Sequence, residues 1–190
     1  MARRSTMLAL ETSAPQFELP DTHAKTRTLE EFAASPALLV AFICNHCPYV
    51  KHILDGFVKF AREYAPKGVA VVAISSNDVE SYPQDSPAAM AQLAKDRDFG
   101  FPYLFDETQA VARAYQAVCT PDFFLFDRER RLAYRGQFDS SRPGSKAPVT
   151  GADMRVAAEA VLSGRPLPHS QVASTGCGIK WKPGNAPDDA

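Results

Sequence analysis

The sequence predicts one α/β domain: a central mixed β-sheet flanked by helices, with an N-terminal hairpin ahead of it and an irregular C-terminal tail. Three observations carry this reading. Residues 37–43 (A-L-L-V-A-F-I) and 69–75 (V-A-V-V-A-I-S) are continuous apolar runs of strand length, as strands buried on both faces require. Between them, Val50, Ile53, Leu54, Phe57, Ala61 and Tyr64 share one helical face, and Lys51, Asp55, Lys59 and Arg62 fall largely on the other. Finally, 190 residues with 45% apolar content suit one core with an embellishment.

Residues 14–32 alternate weakly about Pro20 and Asp21 and fit a short hairpin followed by a helical turn. Strand 37–43 leads through a cysteine motif into helix 48–65, which Pro66 and Gly68 stop. Strand 69–75 opens into a polar loop, 76–86, and Ser86-Pro87 reads as the N-cap and first residue of a helix reaching about Arg97. A short strand at 103–105, a helix at 109–118, a hairpin of 123–126 with 132–137, and a helix at 152–162 complete the order β-α-β-α-β-α-β-β-α. The tail beyond Gly164 holds four prolines and is expected to be mostly irregular. The chain divides into an N-terminal segment (1–13), the domain (14–165) and a tail packing on it (166–190).

Lys plus Arg total 21 against 22 Asp plus Glu, a formal net charge of -1, which argues against general nucleic-acid or anionic-membrane binding. No apolar run approaches the roughly 18 residues of a membrane span. The N-terminal apolar run, Met7 to Leu10, falls short of a secretory core of roughly 7 residues or more, so a cytoplasmic location is expected. Four cysteines are too sparse for a disulfide scaffold, and in a reducing compartment such thiols are reactive, metal-binding or simply buried.

Cys44 and Cys47 form C-N-H-C-P, placed where a buried strand ends and an amphipathic helix begins. Helix N–H groups and the helix dipole stabilise a thiolate there, and a second thiol one turn on lies within bridging range. The expectation is that Cys44 is the more accessible and acidic thiol and attacks a substrate disulfide. Cys47 then resolves the mixed disulfide, and Asn45 and His46 tune the pair. A zinc site normally needs a second paired motif, whereas Cys119 and Cys177 are singlets; copper or zinc binding through Cys44, Cys47 and a histidine stays as a second alternative. A c-type haem needs His after Cys47, where Pro48 stands. Acidic Asp78, Glu80 and Asp85 read as solvated loop or cap residues, with a proton acceptor for Cys47 as the sharper option.

Cys119-Thr120-Pro121 precedes the strand F-F-L-F. Strand, C-x-x-C and helix, followed much later by Thr-Pro and strand, resemble a thioredoxin-like fold, and the resemblance implies that Pro121 is a cis-proline facing the dithiol. A-P-Q-F-E-L-P-D at 14–21 and L-E-E-F at 29–32 resemble the opening of redoxin domains of the alkyl-hydroperoxide-reductase/thiol-specific-antioxidant type. I-S-S-N-D at 74–78, Y-P-Q-D-S at 82–86 and G-C-G-I-K-W-K-P-G-N at 176–185 resemble a bacterial thioredoxin-family branch. The resemblance implies a thiol–disulfide oxidoreductase without cofactor. Its partners would be a disulfide substrate and a dithiol reductant of the thioredoxin or glutathione system, with no nucleic acid or membrane. Thr120 and Pro121 would hold an extended substrate segment beside the dithiol.

The alternative activity is a peroxiredoxin-like antioxidant peroxidase. Against it, Ala41 stands where that family's P-x-x-x-T-x-x-C motif has threonine, and Pro121 replaces its peroxide-polarising arginine. Cys119 and Cys177 are candidate auxiliary thiols. They are expected at most to tune a centre that Cys44 and Cys47 sustain alone.

Overall fold

The computed structural model describes residues 2–187, so Met1 and the end of the expected tail, 188–190, lie outside the described residues. In chain order come β1 (Ala2–Arg4), β2 (Glu18–Pro20), β3 (Thr26–Thr28), β4 (Ala37–Phe42) and α1 (Pro48–Tyr64). Then follow β5 (Val69–Ser75), α2 (Pro87–Asp96), β6 (Tyr103–Phe105), α3 (Ala110–Ala114), β7 (Cys119–Thr120), β8 (Asp122–Phe126), β9 (Leu132–Tyr134), α4 (Ala152–Leu162) and β10 (Thr175–Gly178).

Five strands form the central sheet in the order β6-β5-β4-β8-β9. β4 runs parallel to β5, with Ala37 opposite Val69 and Phe42 opposite Ile74, and antiparallel to β8, with Leu38 opposite Phe126. This mixed sheet with helices on both faces is the thioredoxin-like fold. β4 takes the middle because every residue of A-L-L-V-A-F is apolar and both faces of a central strand are covered. Its period of two divides the core: Leu39 and Ala41 join Phe57 of α1 and Met154 of α4, while Leu38, Val40 and Phe42 meet Tyr115, Phe124 and the hairpin residue Phe17. Among the described residues no helix is long and apolar enough to cross a membrane.

Three elements differ from the sequence reading. The helix expected over 109–118 shortens to α3, because Gln109 and Gln116 take left-handed conformations at φ 63° and 51°. The hairpin partner expected to reach 137 ends at Tyr134, and the Gln137 N–H turns to the tail carbonyl of Val172 at 2.8 Å. Most consequential, the tail contains a strand: β10 lies between β1 and β7, with Cys177 opposite both Ala2 and Thr120. Gly176 permits this approach, since a Cβ there would stand 2.0 Å from the Thr120 carbonyl oxygen.

Candidate redox site

Beyond β4 the Ile43 N–H still reaches the Ile74 carbonyl, 3.0 Å away, and fixes the point at which the chain leaves the sheet. Cys47 is the N-cap of α1, in extended conformation, and Pro48 follows at the first helical position, where no N–H is needed. The cysteine loop therefore sits on the helix N-terminus, as the sequence predicts. The fold brings Thr120 to it: Thr120 Oγ1 lies 3.3 Å from Cys44 Sγ, and the Cys47 thiol donates to the Thr120 carbonyl at 3.1 Å. The Thr120–Pro121 peptide is cis.

Asp85 belongs to this site, although the sequence reading left it in a solvated loop with Asp78 and Glu80. Its side chain is fully buried. It accepts hydrogen bonds from Asn45 N at 2.8 Å, His46 N at 3.2 Å and Asn77 Nδ2 at 2.7 Å, and its Oδ2 lies 2.6 Å from His46 Nδ1. Those two backbone N–H groups would otherwise be unpaired in a turn between strand and helix, so the carboxylate supplies what the turn lacks. Tyr103 donates to Asn45 Oδ1 at 3.1 Å, and the Tyr82 ring stacks on His46 with centroids 5.3 Å apart. Through buried Asn77 and Asp85 the loop 76–86 thus supports the cysteine turn, while Glu80, Ser81, Pro83 and Gln84 face solvent. An acidic residue one position before a helix-capping serine looks the same in sequence whether it faces solvent or a distant turn.

The accessible Cys44 expected from the sequence is not seen. Cys44 is 1% exposed and Cys47 0%, so neither is the accessible one. Cys44 is held well above its ordinary value because it donates to the Cys47 sulfur, and burial and the nearby Asp85 carboxylate push in the same direction. Cys47 goes down, chiefly through that hydrogen bond from Cys44; the Cys177 thiol and the N–H groups of Val50 and Cys177 add to it, against burial. Position acts in the same direction: Cys47, and not Cys44, is the N-cap residue, at the positive end of the helix dipole.

The two singlets part company. Cys119 is fully buried, with its thiol directed at the Pro121 carbonyl at 3.7 Å and pushed up by burial. Cys177 lies beside the pair: β10 places it opposite Thr120, whose carbonyl accepts from the Cys47 thiol, and it packs against the core cluster that holds Cys44 and Cys47. The Thr120 backbone, expected to hold a substrate segment, is therefore already paired with the chain's own tail. Side chains of loop 76–86 and of Gln109, the N-cap of α3, fasten that tail. Asn77 Oδ1 accepts from Lys180 N at 2.8 Å, Gln109 Nε2 donates to Lys180 O at 2.8 Å, and Gln109 Oε1 accepts from Lys182 N at 2.8 Å.

Ligand atoms of Cys44, His46 and Asp85 lie within 4.8 Å of one another, so a metal has three donors of mixed type here. Asp85 is nevertheless engaged by three N–H donors and His46, all of which a coordinated ion would have to disturb.

Comparison with known proteins bears on the family and the fold. The model of the AhpC/TSA family matches residues 10–135. The mitochondrial peroxiredoxin PRX1 of Saccharomyces cerevisiae is 26% identical over 119 residues, 61% of this chain but only 44% of that protein. Among solved structures, a hypothetical protein of Sinorhizobium meliloti 1021 is 52% identical with a TM-score of 0.94, covering 95% of this chain and 99% of that one. An uncharacterized conserved protein of Geobacillus kaustophilus is 50% identical, also with a TM-score of 0.94, covering 96% and 97%. A thiol:disulfide interchange protein of Chlorobium tepidum TLS shares the fold at 17% identity and a TM-score of 0.62, covering 82% and 99%.

Proposed function

The chain belongs to the AhpC/TSA family, and from that premise we propose that it is a thiol–disulfide oxidoreductase cycling Cys44 and Cys47 between dithiol and disulfide. The observation that carries the reading is the geometry at the helix N-terminus: the Cys44 and Cys47 sulfurs meet the same residue, Thr120, at 3.3 Å (Oγ1) and 3.1 Å (carbonyl), and the partner thiol pushes Cys47 down. A thiolate in contact with its partner thiol forms a disulfide readily and is also a good leaving group when that bond is reduced. Asn45, His46 and Thr120 hold the turn, and Asp85 fixes its backbone. The substrate class is a protein or small-molecule disulfide. The electron source is a cellular dithiol of the thioredoxin or glutathione type, and a reducing cytoplasm is the setting these thiols suit.

The peroxiredoxin relative supports a second reading, thiol peroxidase activity. Ala41, fully buried in β4, stands where the peroxidase motif supplies a hydroxyl, which favours the disulfide reaction. The test is turnover of insulin disulfides and, separately, of hydrogen peroxide under a fixed dithiol supply. The wild type is expected to reduce insulin, and Cys44→Ser and Cys47→Ser each to lose at least about tenfold. Wild-type rates in both variants would sink the proposal, and faster turnover of peroxide than of insulin would favour the second reading.

A further inference from the structure

Cys44 and Cys47 are sealed from solvent, while the partly exposed Cys177 packs against their cluster, paired in β10 with Thr120, whose carbonyl is 3.1 Å from the Cys47 sulfur. That contact is built. Cys177 is centred in a strand paired on both sides, with Ala2 of β1 and Thr120 of β7, and the tail just beyond is tied to Asn77 and Gln109. Gly176 allows the strand to close on the Thr120 carbonyl, the same carbonyl that accepts from the Cys47 thiol. A buried dithiol has no direct route to an external disulfide, and a thiol that spans the wall of its chamber supplies one.

We propose that Cys177 is a third redox thiol of this centre and the one that exchanges disulfides with external partners. The inference rests on the dithiol reading of Cys44 and Cys47. In the reducing direction the Cys177 thiolate attacks the substrate disulfide; a Cys177–substrate bond forms, the substrate bond breaks, and the first substrate thiolate leaves. The Cys47 thiolate then attacks Cys177 Sγ, forming a Cys47–Cys177 bond and releasing the second substrate thiol. Cys44 finally attacks Cys47 Sγ; the Cys44–Cys47 bond forms and Cys177 returns as a thiol. Two electrons pass from Cys44 and Cys47 to the substrate, whose two thiolates take the proton of Cys44 and one from solvent; Cys177 loses and regains its own proton, and an external dithiol runs the same route backwards to restore the pair. Cys47, the thiol of lowest pKa in the cluster, is the leaving group when the Cys47–Cys177 bond is broken from the outside.

The experiment traps each bond. Cys47→Ser, reduced and then exposed to glutathione disulfide, should carry glutathione on Cys177, because the thiol that would resolve this adduct is gone. Peptide mapping that places the adduct on Cys44, or finds none on Cys177, overturns the proposal. Cys44→Ser, oxidised with oxidised dithiothreitol, should lose two hydrogens and contain a Cys47–Cys177 disulfide; a folded variant in which that bond never forms also overturns it. Cys177→Ser should lose insulin turnover by at least about tenfold while its Cys44–Cys47 disulfide still forms. Full activity of Cys177→Ser alone removes only this inference, whereas full activity of Cys44→Ser removes the dithiol reading beneath it.

Discussion

Replacing Asp85 by Asn should make Cys44 markedly more acidic. The carboxylate is buried and its charge opposes ionisation of Cys44, whose sulfur lies within the 4.8 Å cluster of Cys44, His46 and Asp85. At 4.8 Å, two unit charges interact by about 3.5 kcal/mol at an effective dielectric of about 20, which corresponds to about 2.5 pH units in the titration midpoint. Asparagine keeps the shape and one acceptor but not the charge, so the hydrogen bonds from Asn45 N and His46 N weaken, and we expect a stability loss of about 2–4 kcal/mol. The assay is thiolate absorbance near 240 nm against pH, in a Cys47→Ser, Cys177→Ser background, where Cys119 is kept protonated by burial. Both proteins are compared below their unfolding midpoints in urea-free buffer. An unchanged or raised Cys44 midpoint in the Asp85→Asn protein would refute the charge argument.

Two further expectations are independent of that one. Gly176→Ala puts a Cβ 2.0 Å from backbone oxygen that cannot swing aside, so β10 should leave β7. Amide exchange should accelerate through 175–179 with β4 and β5 still protected, and insulin turnover should fall as in Cys177→Ser; unchanged exchange would mean that the strand tolerates the methyl group. Asp122 is raised to about 6 by burial, against the partial relief of Arg135, whose Nη2 lies 3.7 Å from it. The folded state therefore binds this proton more tightly than the unfolded one, so stability should decline as pH rises from about 4 to about 6. Asp122→Asn should flatten that slope in urea unfolding; an equally steep slope would assign it to another group.

The parts of this protein that local chemistry dictates were legible in its sequence. A continuous apolar run can only be a buried strand or a buried helix segment, and β4 and β5 have strand length. C-x-x-C between β4 and an amphipathic helix, and Thr-Pro before β8, are read from neighbours a few positions away. Asp85, 38 positions from Cys47 in sequence (85 less 47), and Cys177 in G-C-G owe their roles to pairing across the fold. Neither alternates with apolar residues, because β10 is positioned by Gly176's missing side chain and by fastenings from Asn77 and Gln109. The sequence places the helix start near the motif, but only the structure shows that Cys47 is the cap and that a carboxylate stands beside Cys44.

The tail also limits how any substrate can be met. For an extended segment to pair with Thr120, β10 would first have to detach, giving up the Ile179 N–H to Val118 O bond and the ties of Lys180 and Lys182 to Asn77 and Gln109. Each such bond is worth about 0.5–1.5 kcal/mol net, so detachment costs several kcal/mol before any substrate contact is made. Passing a disulfide through Cys177 asks far less: Cys177 already packs against the dithiol cluster, opposite the Thr120 whose carbonyl accepts from Cys47, and the strand stays paired. The same fastening that shuts the dithiol away from solvent holds the third thiol against it. Loosening the tail should therefore expose the pair and slow exchange at the same time, which distinguishes a relay from a simple lid.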